Sequence, residues 1–346
     1  MQKSKLLVLT ILTFVLLAYF NQNFHVDLRV EHSGNISINT ADNNSWATII
    51  HENRILNSKL KVINSSIYVV GYLEGYTTYI TKYNSSGVKL WEYTWKRSDQ
   101  TTPFDFIIDS DNYLYIAGRI YNPSNYSRGI FLLKINASGH LTWSKIINSS
   151  TYCNQILITL DLNNDLYISG HESYYDSGTV DSIFLLKFND SGDILWNSDL
   201  DINETDPSII EMHIDSGNNL ILYVGTFFSS QYLIKYNSSG STMWYKEWGE
   251  DDTSGRSKVI SGDDIIITGF TYYQNNHTAD VWIMKINSSG FTINKTKMGN
   301  YEDGWWFWEE SLWYYDDFNN TYFLMGYYMD GPILFKINTN LKVAWN

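Results

Sequence analysis

Asp161, Asn163 and Asp165 alternate along one short stretch, the spacing at which oxygen ligands converge on a calcium ion, and Asp109 with Asp111 begins the same way. A complete loop of that kind also needs a glycine at its sixth position and a later bidentate acid. Leu166 and Tyr167 follow instead, so the residues predict a hairpin turn, with no cofactor expected and calcium the weaker alternative. His171, Glu172, Asp176 and Asp181 crowd a second segment and His277 lies in a third, where two loop carboxylates could serve a glycosidase or lyase as acid and base. Trp305, Trp306, Phe307 and Trp308 run consecutively, flanked by Glu302, Asp303, Glu309 and Glu310. Four aromatics in a row cannot all turn inward from a strand, so they form either a local cap or a stacking face for a sugar or a partner. No His-Glu-x-x-His, Gly-x-Ser-x-Gly, phosphate loop or cysteine pair occurs. The single cysteine, Cys153, excludes an internal disulfide and reads as a buried small apolar residue.

The elements that must position these residues follow from a repeat. Lys, one apolar or aromatic residue and Asn, then a Trp seven residues after the Asn, recur at Lys82 to Trp91, Lys134 to Trp143, Lys187 to Trp196, Lys235 to Trp244 and Lys336 to Trp345. A sixth copy, Lys285 to Asn294, lacks its Trp. Successive endpoints lie 52, 53, 48, 50 and 51 residues apart, and uninterrupted repetition at that period means a repeat architecture. Within residues 104 to 147, FDFIID, YLYIAG, GIFLLKI and HLTWSKII read as four short strands, two of the joins being tight turns. Gly71, Gly118, Gly170, Gly225, Gly269 and Gly326 close the second strand of successive units, which implies a bend or the close approach of a neighbouring sheet. Four-stranded sheets at this period predict an all-β fold, a six-bladed β-propeller rather than a seven-bladed one. The last unit stops one residue beyond Trp345, and residues 44 to 50, NSWATII, match LTWSKII around Trp46. An N-terminal strand at 44–50 is therefore expected to complete the last blade and close the ring.

The residues quoted above, an Asp-x-x-x-Asn-like hairpin, Tyr-x-x-Gly and then Lys-x-Asn-x-Ser-Gly-x-x-x-Trp, resemble the SBBP-type β-propeller repeats of exported prokaryotic surface proteins. The resemblance covers roughly residues 45 to 346 in six units, whereas the family label refers to seven blades. It implies a surface module more than an activity. The four-residue step from Gly to Trp is also similar, more loosely, to the tryptophan-docking motif of quinoprotein propellers, which would imply a quinone-dependent oxidoreductase as a third functional reading. On either resemblance Trp46, Trp91, Trp143, Trp196, Trp244 and Trp345 are structural residues. Packing chemistry points the same way, since one large ring at one phase of every unit fills a gap between sheets.

Net charge is -13 with no cluster of Lys and Arg, which excludes a nucleic-acid footprint. Aromatics at 16% and only four prolines suit strands. Lys3 and Lys5 precede an uncharged run from Leu6 to Phe20, so residues 1–24 are expected to be a signal peptide or an N-terminal membrane anchor, 25–43 a linker and 44–346 the propeller. The chain is then secreted or displayed at the cell surface, touching a membrane only through that N-terminal segment. Asn-x-Ser/Thr acceptors suit this setting, and Asn84, Asn125, Asn136, Asn189, Asn237 and Asn287 are the glycosylation candidates. Turn chemistry alone would also select Asn, Ser and Gly at five of them.

One lysine per unit, with Asp109, Asp161, Asp215, Asp263 or Asp316 near the first hairpin, should meet at one end of each sheet as an exposed pair of little energetic weight. The second-to-third strand loops at the other end diverge in length and content, and variable loops on a rigid frame are where binding resides. They carry Tyr121, Tyr126, Tyr174, Tyr175, Tyr272 and Tyr273, which join Trp305, Trp306 and Trp308 as candidate ligand-binding residues. The function expected is a non-catalytic binding or scaffolding module for a surface protein or glycan. A carbohydrate-active enzyme is the alternative.

Overall fold

The computed structural model describes residues 26–30, 36–40, 55–149, 152–173, 182–200, 207–226, 230–248, 252–259, 263–273, 278–302, 308–315, 321–326, 333–337 and 343–345. Every regular element among them except one short turn is a β-strand, and they fall into two compact units, Met1–Trp95 and Lys96–Asn346. The first unit holds a two-stranded hairpin, β1 (Val26–Val30) with β2 (Ile36–Thr40), in the stretch expected as a linker. It also holds one four-stranded antiparallel sheet, β3 (Leu56–Ile63), β4 (Ser66–Leu73), β5 (Thr77–Asn84) and β6 (Lys89–Trp95).

The second unit holds five more sheets of the same order. They are β7 (Gln100–Ile108) to β10 (Leu141–Ser149) through β8 (Leu114–Tyr121) and β9 (Arg128–Ile135); β11 (Tyr152–Leu160) to β14 (Ile194–Leu200) through β12 (Leu166–Ser173) and β13 (Ser182–Phe188); and β15 (Pro207–Ile214) to β18 (Thr242–Trp248) through β16 (Leu220–Thr226) and β17 (Gln231–Tyr236). Then come β19 (Asp252–Val259) to β22 (Thr292–Glu302) through β20 (Ile265–Tyr273) and β21 (Thr278–Ile286), and β23 (Trp308–Tyr315) to β26 (Val343–Trp345) through β24 (Thr321–Gly326) and β25 (Ile333–Ile337). Each sheet is a meander whose strands pair in chain order, an all-β arrangement consistent with a β-propeller. The proposed closing strand, residues 44–50 with Trp46, lies outside the described residues.

Burial follows strand position. In the sheet β7–β10 the middle strands are buried on both faces, as the near-continuous apolar runs LYIA and IFLLKI require, while β10 alternates between exposed and half-buried. The core of the second unit lies between successive sheets. Tyr115, Ile130 and Leu132 of one sheet pack with Ile156, Ile168 and Phe184 of the next. Ile183, Leu185 and Tyr167 then pack with Leu220, Leu222 and Val224, and Tyr223 and Leu233 with Ile265 and Trp282. Polar bonds tie the first strands in the same sequence: the buried Asp105 carboxylate accepts the Ile158 N–H at 3.2 Å, and Gln155 Nε2 donates to the Ile209 carbonyl at 2.6 Å.

Gly118 and Gly170 serve close approach, but by strands of their own sheet. A Cβ on Gly118 would stand 2.5 Å from the Phe131 ring and 2.3 Å from the Thr102 carbonyl, and one on Gly170 2.2 Å from the Phe184 ring. The phenyl group of the third strand lies across the glycine of the second, filling the space an absent side chain leaves.

Candidate functional site

One end of each sheet carries the first-to-second and third-to-fourth hairpins, and the repeated residues converge there. The lysine of each unit stands directly opposite its Trp in the backbone register: Lys82 with Trp91, Lys134 with Trp143, Lys187 with Trp196, Lys235 with Trp244 and Lys336 with Trp345. Lys285 faces Asn294, the residue that replaces the fifth Trp. A register shift just before each of these positions turns the Trp towards the lysine row. On the other side of the lysine stands the tyrosine of the Tyr-x-x-Gly strand. Lys82, Lys134 and Lys187 lie 4.9, 5.0 and 4.8 Å from the ring centres of Tyr68, Tyr115 and Tyr167. Those rings meet Trp91, Trp143 and Trp196 edge-on at 6.3, 6.2 and 5.8 Å.

The acids complete the row, and two of the expected pairings change. Lys187 reaches Asp161 at 2.9 Å and Asp165 at 3.0 Å, and Lys235 reaches Asp215 at 2.6 Å. Lys285 takes Asp264 at 2.7 Å rather than Asp263, whose carboxylate instead accepts from the backbone and hydroxyl of Ser216 in the preceding sheet. Lys134 pairs with Asp190, in the turn of the following sheet, while Asp109 accepts from the Tyr115 hydroxyl at 3.2 Å. Asp316 lies outside the described residues. Two of these pairs are not surface contacts: the Lys187 and Asp161 side chains are 4% and 0% exposed, with the Tyr167 and Trp196 rings beside them, and Lys235 and Asp215 are buried likewise, whereas Asp190 is largely exposed.

The same end clasps three sheets of the second unit to the sheet that follows. Trp143 Nε1 donates to the Asp190 carbonyl, Trp196 Nε1 to the Ser238 carbonyl and Trp244 Nε1 to the Ser288 carbonyl, each at 3.1 Å. The acceptor is always the variable residue of an Asn-x-Ser-Gly turn one repeat on. Lys235 Nζ shares the Ser288 carbonyl at 3.0 Å. Electrostatics move these groups away from neutral pH. Burial pushes the Asp215 carboxyl upward, but the Lys235 hydrogen bond, those from Asn219 and the Lys235 charge outweigh it and hold it below the usual range. Burial alone would lower Lys187, yet bonds to Asp161, Tyr167 and Asp165 raise it. Burial first, then bonds to Asp190 and Asp109, raise Tyr115.

Asp161 Oδ1 accepts the N–H groups of Asn163 and Asp165 at 2.8 and 3.0 Å while Oδ2 faces Lys187, so this stretch forms a capped hairpin. Cys153 is buried, with its thiol 3.5 Å from the Gln155 carbonyl. His171 is also buried. Among the described residues no helix is long and apolar enough to cross a membrane.

At the other end the candidate tyrosines separate. Tyr121 is half-buried, and so is Tyr273, at the end of β20 beside Tyr272. Tyr126 is 72% exposed and adopts φ 60°, a left-handed backbone that a bulky residue rarely takes. Its loop is built to hold that conformation. Asn122 Oδ1 accepts from the N–H of Ser124 at 2.8 Å, Asn125 Oδ1 from that of Ser127 at 3.0 Å, and Asn122 N–H donates to the Ser127 carbonyl at 2.9 Å. Asn122 Nδ2 ties the loop to Asp99 at 2.7 Å, and Arg97 holds the same carboxylate. Tyr76 occupies the corresponding loop between β4 and β5, with φ 58°, stacked on Tyr72 at 5.2 Å. Residue type alone does not single out Tyr76, although Gly75 and Tyr76 mark a short turn. Tyr174, Tyr175, Trp305, Trp306, Asp176, Asp181 and His277 lie outside the described residues. Trp308 begins β23 and Glu172 lies in β12.

No protein-family model matches the chain, and no curated protein is significantly similar to it. Solved structures are similar in fold. A polysaccharide lyase described as an ulvan lyase superposes with TM-score 0.51 at 9% identity, over 81% of this chain and 78% of its own. The polysaccharide lyase Uly1 gives 0.44 at 9% identity over 85% and 94%, and the WD40 domain of SCAP from fission yeast 0.45 at 10% over 92% and 85%. At such identity the first likeness bears on the fold alone. The class defined is an all-β protein of four-stranded, propeller-type sheets.

Proposed function

We propose that the chain is an exported, surface-displayed six-bladed β-propeller that works as a non-catalytic binding or scaffolding module for a glycan or a surface protein. The observation that carries this reading is Tyr126, a large exposed ring on a backbone in the left-handed region, fixed by side-chain hydrogen bonds at both ends of its loop. Holding a tyrosine there costs on the order of 1 kcal/mol, and a pre-ordered aromatic face offsets that cost when it stacks on a sugar ring or a partner side chain. Tyr76 adopts the same left-handed backbone in another second-to-third strand loop. The repeated ionisable residues of the opposite end support a scaffold role, because they are committed to one another within and between sheets.

The test is a glycan array together with capture of cell-surface proteins, using the full chain and Tyr126→Ala. Binding should weaken about five- to tenfold, the equivalent of roughly 1 kcal/mol, with the thermal midpoint unchanged or slightly raised. Equal binding by the variant would remove the loop from the reading. Depolymerisation of any polysaccharide on incubation with the chain would replace it with the carbohydrate-active alternative.

A further inference from the structure

The two hairpins at the lysine end of a sheet have one backbone design and two chemistries. In the first, Asp109, Asp161 or Asp215 caps the turn, and an Asn three residues on takes φ 62° to 64°. In the second, Asn84, Asn136, Asn189, Asn237 or Asn287 caps it, and a Gly three residues on takes φ 75° to 86°. In both, the capping oxygen accepts the N–H four residues on at 2.8 to 3.0 Å. The residue two positions on supplies only a backbone N–H to this design, and in the first hairpins it is Asp111, Asn163 or Gly217. In the second hairpins it is serine every time: Ser86, Ser138, Ser191, Ser239 and Ser289. Of these hydroxyls only that of Ser239 makes a hydrogen bond to a described residue, the Asn237 amide oxygen at 2.8 Å. The turn therefore demands Asn and Gly but not the hydroxyl, which is what makes each turn an Asn-x-Ser acceptor.

Two further observations point to a ligand at this place. Asn84, Asn136, Asn237 and Asn287 use Oδ1 in the turn while Nδ2 bonds to no described residue; Asn189 Nδ2 lies 3.5 Å from Asp193. Each turn is also followed within six residues by large exposed apolar side chains on the fourth strand or just before it: Val88 and Leu90, Leu141, Ile194 and Leu195, Met243, and Phe291 and Ile293. A recurrent apolar strip beside an outer strand is a liability in a chain bare of cover.

We propose that the five Asn-x-Ser-Gly turns are N-glycosylated and that their glycans cover the apolar strip of the fourth strands. Asn Nδ2 forms a bond to the anomeric carbon of a lipid-linked, diphosphate-activated oligosaccharide. The anomeric carbon–oxygen bond breaks, the lipid diphosphate leaves with the electron pair, and Nδ2 gives up one proton. The side chain stays an amide, so Oδ1 keeps both turn hydrogen bonds. This rests on the export reading above, but not on what the loops bind.

The experiment secretes the full chain, behind an added host leader, from a eukaryotic cell that glycosylates such acceptors. Site occupancy is read by enzymatic deglycosylation in heavy-oxygen water and peptide mass spectrometry. The expected result is a glycan mass on all five turn asparagines; empty turns in the secreted wild-type chain overturn the proposal. A variant with alanine at Ser86, Ser138, Ser191, Ser239 and Ser289 keeps every asparagine cap. It should lose those masses, hold its thermal midpoint and bind about twofold or more of an apolar-surface dye; unchanged dye binding overturns the covering role. Because the leader is supplied, a chain retained in the cell with its own N-terminus would count against export alone.

Discussion

The first hairpin of a sheet and its second hairpin share a turn and differ in what surrounds it, and the surroundings choose the residues. In two sheets the first places its capping carboxylate beside the buried lysine, so an aspartate both caps and pairs, as Asp161 does with Lys187 and Asp215 with Lys235. In the second, the buried lysine of the preceding sheet reaches the residue after the cap, as Lys235 reaches the Ser288 carbonyl, and the capping oxygen bonds to backbone N–H groups, so neutral asparagine suffices. At the left-handed position the choice reverses. Asn218 is used in the first hairpin because its side chain reaches the preceding sheet, accepting the Leu162 N–H at 2.8 Å. Gly240 and Gly290 are required in the second, since a Cβ there would stand 2.9 Å from the rings of Trp196 and Trp244. A local motif can thus be the same to the backbone while its chemistry is set by a repeat some fifty residues away.

Exchanging the two caps is the sharpest way to break this comparison. Asp215→Asn preserves the capping oxygen and strands Lys235, and should cost about 3 kcal/mol in denaturant unfolding. The reverse exchange, Asn237→Asp, is expected to stay within about 0.5 kcal/mol. Equal losses would mean that the caps are not distinguished by the ion pair.

Gly240→Ala should cost about 2 kcal/mol, from the left-handed backbone and the Trp196 ring together, whereas Asn112→Gly in a first hairpin should cost under about 1 kcal/mol. Thermal unfolding of the two variants side by side checks the asymmetry. Trp196→Phe keeps most of the packing but loses the indole bond to Ser238, with an expected loss of about 1 kcal/mol.

The pH dependence is the least effect near neutrality. Asp215 is held below its unfolded value, so its contribution is present above about pH 4 and is lost as pH falls through the folded value. Lys187 is raised, so its contribution is present below about pH 10.4 and is lost as pH rises through the folded value. Burial raises Tyr236 to about 12, which adds to the alkaline loss between about pH 10 and that value. Asp215→Asn should flatten the acid limb of a stability profile and leave the alkaline limb in place.

Much of the fold was legible because its signals are local. Alternation, the paired turns and the Tyr-x-x-Gly strand placed β7 to β10 within a few residues of where they lie. Lysine and Trp were visible as constants of the repeat, and a two-residue strand period with one bulge is enough to set them opposite each other. Burial of the lysine–acid row was not legible, because the charges and short turns read as surface. The rings beside each lysine come from the second and fourth strands of its own sheet, as Tyr167 and Trp196 do for Lys187. Tyr76 escaped notice because its importance lies in a backbone angle, which residue type does not reveal for tyrosine.

Sequence alone determined the repeat, the strand order within each sheet and the chemistry of each turn, since all of these rest on interactions between residues of one unit, at most 24 positions apart in Thr278 and Glu302. Tertiary structure decided that Lys134 pairs with Asp190 and not Asp109, that Asp263 serves Ser216, and that each indole from Trp143, Trp196 and Trp244 finds a carbonyl one repeat on. Those partners lie some fifty residues apart, so only the packing of one sheet on the next brings them within reach.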